Sequence, residues 1–310
     1  MITRQGHVAR KEAVMSKAIP EAVAAESRMV SVPGGRLHVM DYPGEAPALV
    51  VMHGFPDDSR IYDRLAPLLA SRRVVAVDWL GYGRSDRVEP GPFDSAQHQR
   101  ELRAVLDSLE LGGVTLVGHD ASGPDAIDFA LGEPGRVGHL ILLNTYYGHP
   151  PSGRFPEMIR LLADPGLTPL ADAMMDDPNQ RLWLLNHTGR QWGLDAGDQQ
   201  GVAFASILPQ FFGDDSQPDA LTAIRAWTSA LFPALDQQDA HIAAGDLAGT
   251  DLPVTLIFGA DDDYLSPRLA RHLAGLFAHA DLQLVDNASH WLQWDQPEIV
   301  ARLIKQAAPK

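Results

Sequence analysis

The chain has 310 residues, no cysteine and a formal net charge of -15. The missing cysteines exclude thiol catalysis, iron–sulfur clusters, zinc knuckles and a disulfide scaffold. A hydrophobic share of 45% and a charged share of 21% fit a packed enzyme-like globule, and 25 Lys plus Arg against 40 Asp plus Glu offer nucleic acid no basic stripe.

In chain order, Met1 to Glu26 mixes Arg, Lys, Glu and Ala without an apolar core. It lacks the pattern of a secretory signal, so residues 1–28 are expected to be a frayed helical extension of a cytoplasmic protein. No apolar run nears the roughly 20 residues that span a bilayer, and no membrane partner is expected. From Met29 onward, short β-branched runs alternate with longer amphipathic stretches. Arg36 to Asp41 alternates like an early strand. Ala48 to Met52 and Arg73 to Val77 are continuous apolar runs, as in strands buried on both faces. Tyr62 to Ala70 and Gln97 to Leu109 carry helical spacing. Val114 to Val117 predicts a strand, Pro124 to Leu131 a helix and Leu140 to Leu143 a strand. Later strands are predicted at Val254 to Phe258 and Leu282 to Val285, with helices around Leu269 to Phe277 and Pro297 to Lys305. This alternation predicts an α/β fold with a mostly parallel central sheet flanked by helices.

Residues 148–249 break the rhythm with Pro and Gly punctuation and several amphipathic stretches, among them Met158 to Ala163 and Leu221 to Leu231. They predict a helical cap inserted between two parts of the core, 29–147 and 250–310. Trp183, Trp192 and Trp227 fall within the insertion.

The chemistry gathers just beyond the predicted strands. Val114 to Gly123 reads VTLVGHDASG, a strand, a sharp turn and the start of a helix. Small residues around a reactive side chain suit a strained turn whose flanks pack tightly. The apex residue is Asp120. The N-terminus of a helix favours its ionised form, and a carboxylate needs no base before it attacks carbon. Ser122 lies past the apex and is a weaker nucleophile candidate. His53-Gly54-Phe55-Pro56 follows an earlier strand, and the N–H groups of Phe55 and Ala121 are candidates for an oxyanion hole. Asp261, Asp262 and Asp263 follow a late strand, and Asn287-Ala288-Ser289-His290 follows the last one. The order is nucleophile, acid, histidine.

The run HGFP, DWLGYGRSD, GHDASG, GADDD and ASHW, in this order, resembles the α/β-hydrolase superfamily from Met29 to the C-terminus. An aspartate at the apex is similar to the branch that holds epoxide hydrolases and haloalkane dehalogenases. The resemblance implies Asp120 as nucleophile, His290 as general base and Asp262, at the third position beyond its glycine, as the acid that orients the histidine. Asn144 stands where some dehalogenase relatives carry that acid, and an amide there favours Asp262. No metal or organic cofactor is implied. The expected partner is a small apolar electrophile.

The leaving group stays open. Phe55 in HGFP resembles epoxide hydrolases, which makes epoxide opening the favoured reaction. Those relatives supply tyrosines from the cap, and residues 148–249 contain none. Tyr146, Tyr147 and His187 are the nearest proton donors. Haloalkane dehalogenases, the runner-up, carry tryptophan after the nucleophile where this chain has Ala121; Trp183 or Trp192 would then donate to halide. The arginines of fluoroacetate-type relatives are absent from Ala121 to Asp125. A non-catalytic binder on the same fold is the reading of another class. Trp79, Phe155, Trp183, Phe211, Phe212 and Trp291 are candidates to line the pocket.

Overall fold

The computed structural model describes residues 24–87, 94–149, 154–191, 201 and 203–308. Most of the expected N-terminal extension, and Trp192, lie outside the described residues. The strands are β1 (Glu26–Val32), β2 (Gly35–Tyr42), β3 (Glu45–Met52), β4 (Arg72–Val77), β5 (Val114–Asp120), β6 (Val137–Thr145), β7 (Val254–Gly259) and β8 (Ala280–Val285). They form one eight-stranded sheet in the order β1-β2-β4-β3-β5-β6-β7-β8. The β1–β2 and β2–β4 pairs are antiparallel, and every later pair is parallel.

The helices are α1 (Ser95–Ser108), α2 (Ser122–Gly132), α3 (Glu157–Ala163), α4 (Thr168–Asp176), α5 (Pro178–Gln191), α6 (Leu208–Phe212), α7 (Leu221–Ala244), α8 (Pro267–Ala274), α9 (Leu292–Asp295) and α10 (Pro297–Ala307). None is long and apolar enough to cross a membrane. This is the α/β-hydrolase fold. Helices α3 to α7 are the insertion, between β6 and β7. Its start is tied to its last helix: Gly148 N–H donates to Gln238 Oε1 at 2.9 Å and His149 N–H to Asp239 Oδ1 at 2.9 Å.

Two sequence expectations need correction. β1 begins at Glu26, inside the stretch expected to be extension. Only Val30 of β1 is buried, so this edge strand has no apolar alternation to read. The helix expected over Tyr62 to Ala70 is instead two short 3-10 turns, Ser59–Tyr62 and Ala66–Leu69. Pro67 has no N–H to donate, and the Asp58 carboxylate caps the first turn by accepting from Arg60 N–H.

The central strands place the chemistry. All of β5 up to Asp120 is buried between β3 and β6. In register, Gly118 lies beside Met52 on one side and Leu142 on the other. The loops after β3, β5 and β6 therefore leave the sheet at one level. The β7–β8 pair ends at Gly259 and Val285, so the loops carrying the late acid and the histidine leave along the same edge. A parallel sheet gathers its functional loops at the carboxyl ends of the strands for this reason.

Leu142 is 0% exposed in the middle of this sheet. We expect Leu142→Ala to cost about 3 kcal/mol through lost burial and the cavity left behind. Urea unfolding of the two proteins measures it.

Candidate active site

Asp120 ends β5 at the apex of the turn into α2. Its φ of 50° is left-handed, a strained conformation for a residue with a side chain. The turn is held from below by Ser122. Its Oγ donates to Met52 O at 2.8 Å and accepts from His119 N–H at 3.0 Å, and the side chain is 0% exposed. Ser122 is a structural brace and presents no hydroxyl for attack.

The Asp120 carboxylate accepts from Phe55 N–H at 3.0 Å, and Ala121 follows it in the chain. The Phe55 N–H, one of the two groups named from the sequence, is thus aimed at that side chain. Burial pushes the Asp120 pKa up, while His290 and the Phe55 N–H pull it back toward the ionised form.

Asp262 and His290 meet as expected. His290 Nδ1 lies 2.9 Å from Asp262 Oδ2. The other partners of Asp262 are Asn144 Nδ2 at 2.7 Å and the N–H groups of Tyr264 and Leu265, each at 2.9 Å. Burial alone would raise its pKa, but the His290 charge and these hydrogen bonds hold it down to about 2. The Asn144 carbonyl accepts from Gly259 N–H at 2.7 Å, so the amide orients the acid and ties β6 to β7. The neighbours Asp261 and Asp263 are not drawn into this pair. Burial lowers the His290 pKa, but the Asp262 and Asp120 charges outweigh it and bring it to about 9. Nδ1 faces Asp262, so Nε2 is the ring nitrogen turned away from that acid.

Asp120 and His290 line one open-mouthed cavity. Its walls are largely apolar: Phe55, Tyr146, Phe155, Trp227, Leu231 and Leu265. Arg154 and Tyr264 also line it, and Tyr264 Oη donates to Gln191 Oε1.

Among the candidate donors, Tyr146 lines the cavity, and its hydroxyl has no hydrogen-bond partner among the described residues. The other three do not line it. Tyr147 Oη donates to Asp128 at 2.5 Å. Trp183 is 57% exposed and stacks on His187 with ring centroids 5.3 Å apart, an i,i+4 pair on the outer face of α5. His187 Nε2 is engaged by Gln191 at 2.9 Å. Of the expected lining residues only Phe155 is in place. Trp79 is buried against His98, Phe211 and Trp291 are buried in the core, and Phe212 packs under Arg181.

Two side chains went unassigned in the sequence. Trp227, on α7, makes edge contacts with Phe55, Tyr82 and His98. Asp57 is 0% exposed and accepts from Trp291 Nε1 at 3.1 Å. Burial pushes its pKa up to about 8. Its signal in the sequence is the acidic pair Asp57-Asp58 just after HGFP.

Residues 49–303 match the alpha/beta hydrolase family. The chain belongs to that family and is a hydrolase of it. It is 28% identical over 280 residues to a 2-hydroxy-6-oxononadienedioate/2-hydroxy-6-oxononatrienedioate hydrolase of Burkholderia vietnamiensis, covering 87% of this chain and 89% of that one. It is 25% identical to haloalkane dehalogenase 2 of Mycobacterium bovis, covering 92% and 96%. The fold is similar to that of the epoxide hydrolase CorEH, with a TM-score of 0.71 at 20% identity, covering 92% and 98%.

His290 and Asp57 both keep, in the folded state, a proton that the unfolded chain releases earlier. For His290 the stabilisation is complete below its ordinary 6.5 and lost as pH rises through about 9. For Asp57 the corresponding loss runs from 3.8 through about 8. We expect the urea midpoint to fall as pH rises from about 6.5 to about 9 and Asp57→Asn to flatten that fall. Urea titrations across the range measure it.

Proposed function

We propose that the protein hydrolyses an epoxide to a diol through a covalent ester on Asp120. The observation that carries this reading is the apex itself. A carboxylate, not a hydroxyl, takes the Phe55 N–H there, and the nearby Ser122 hydroxyl is buried in the turn.

In the first step Asp120 Oδ attacks an epoxide carbon as the ring C–O bond breaks. The opening oxygen takes a proton from Tyr146, whose hydroxyl burial keeps firmly protonated. The ester has no charge. One cause of the raised His290 pKa, the Asp120 carboxylate, is then gone, and the imidazole can shed its proton near neutral pH. In the second step neutral His290 takes a proton from water, which attacks the ester carbonyl. The Phe55 and Ala121 N–H groups stabilise the oxyanion. Collapse frees the diol, the proton from the acyl carbon's hydroxyl passes to the leaving alkoxide, the proton on His290 returns to Tyr146, and His290 regains from solvent the proton it released to solvent after the ester formed. The balance is epoxide plus water to diol.

One observation favours a second reading. Trp227 lines the cavity, and its indole N–H has no hydrogen-bond partner among the described residues. An N–H donor over the site suits a departing halide, as in a haloalkane dehalogenase. The non-catalytic reading has less support, because it leaves unexplained why Asp120, His290 and Asp262 converge.

His290→Gln should trap the ester. Intact mass after mixing with epoxides should show addition of the whole substrate; a haloalkane would add its mass less hydrogen halide. Asp120→Ala should form no adduct and turn nothing over. Tyr146→Phe should slow epoxide opening by about 10²-fold, read as the rate of adduct formation. Full turnover by Asp120→Ala would sink the scheme.

A further inference from the structure

The loop that leaves β3 carries Phe55, then Asp57 and Asp58. Both carboxylates are almost completely buried, at 0% and 1% exposure. Buried carboxyl groups demand partners. Some come from the core: Trp291 Nε1 donates to Asp57 at 3.1 Å, and Arg60 Nε donates to Asp58 Oδ2 at 2.9 Å. The rest come from the insertion. Ser206 Oγ accepts from Asp58 N–H at 2.8 Å and donates to Asp57 Oδ1 at 3.4 Å. Gln210 Nε2 donates to Asp58 Oδ2 at 2.7 Å, and Gln210 Oε1 accepts from Gly83 N–H at 3.1 Å. Ser206 and Gln210 are both 0% exposed. They lie four residues apart, and Gln210 Nε2 also donates to Ser206 O at 2.9 Å. One short stretch of the insertion is thus fastened to the loop after β3 and to the loop after β4.

This cluster touches each part of the site at one remove. Asp57 is two residues beyond the Phe55 N–H. Its donor, Trp291, is the residue after His290. Its Oδ2 lies 4.0 Å from Nδ1 of His119, the residue before Asp120. His119 Nε2 in turn donates to His290 O at 2.9 Å. Directional polar contacts, unlike apolar packing, hold a loop at one geometry.

We propose that Ser206 and Gln210 are positioning residues for the reaction: they lock the loop after β3 so that the Phe55 N–H stays aimed at Asp120, and through Asp57 they steady the segment that bears His290. Docking of the insertion would thereby complete the oxyanion hole. The proposal rests on the reading of Phe55 N–H as an oxyanion donor. A donor displaced by about 1 Å costs about 10²-fold in rate.

The test uses Ser206→Ala and Gln210→Met separately in the full chain, with Ser206→Thr as the conservative variant. Amide hydrogen exchange is read on the peptide covering residues 53–60 and on one from β6 as a reference. Steady-state kinetics use the epoxide or haloalkane that labels His290→Gln. We expect exchange in residues 53–60 to rise about tenfold or more with β6 unchanged. We expect kcat to fall by about ten- to a hundredfold with KM within about threefold, and Ser206→Thr to keep both near wild type. If either variant folds poorly, the other carries the test. Folded variants that only lose melting temperature, with loop exchange and kcat unchanged, would overturn the proposal. A wild-type protein inert to every electrophile would overturn the ester reading, while the exchange of residues 53–60 would still decide whether the insertion locks the loop.

Discussion

A Cβ on Gly54 would stand 2.5 Å from the Cβ of Asp120, and one on Gly123 would stand 2.0 Å from Thr145 Oγ1. Neither separation is possible without moving backbone. This close approach of three chain segments around one strained carboxylate is the constraint on which the rest depends. It brings the Phe55 N–H to 3.0 Å from Asp120. It also brings the start of α2 against the end of β6, where Thr145 Oγ1 donates to Asp120 O at 2.5 Å. The left-handed turn at Asp120 is stable because these neighbours over-determine it.

The electrostatics follow from that crowding. Asp120, Asp57 and Asp262 are three acids gathered around one histidine. Burial pushes each of them toward the neutral form, yet they separate. Asp262 has four hydrogen-bond donors and stays ionised. Asp57 has fewer donors and is raised to about 8. Asp120 is raised by burial, and the His290 charge and the Phe55 N–H hold it back. Groups of one chemical type acquire different protonation habits from burial, donors and neighbouring charges.

Asp120, Asp262 and His290 were legible because each sits just past a buried β-branched run, and such a run announces where a strand ends. The sheet edge then does the assembling. Tyr146 and Tyr147 show the limit of this reading. They are adjacent residues beyond the same strand, yet one faces the cavity and the other binds Asp128. Which tyrosine turns inward depends on packing across the sheet. Trp183 and Trp227 were equivalent as tryptophans in the same insertion. α5 turns Trp183 outward with His187, while α7 lays Trp227 against Phe55. The edge strand β1 was missed because only one of its side chains is buried.

The local pattern of the chain therefore determined the order of strands, the strained aspartate turn and the succession of acid and histidine, because burial on both faces and tight turns leave marks within a few residues. It did not determine how the helices between β6 and β7 lie over the sheet. Their docking joins residues far apart in the chain, such as Gln210 to Asp58 and Trp227 to Phe55. Those contacts form only once the sheet has placed its loops. The walls of the cavity and the polar link from the insertion to the Phe55 loop are decided by the tertiary structure alone, because they depend on long-range packing that no short stretch of sequence encodes.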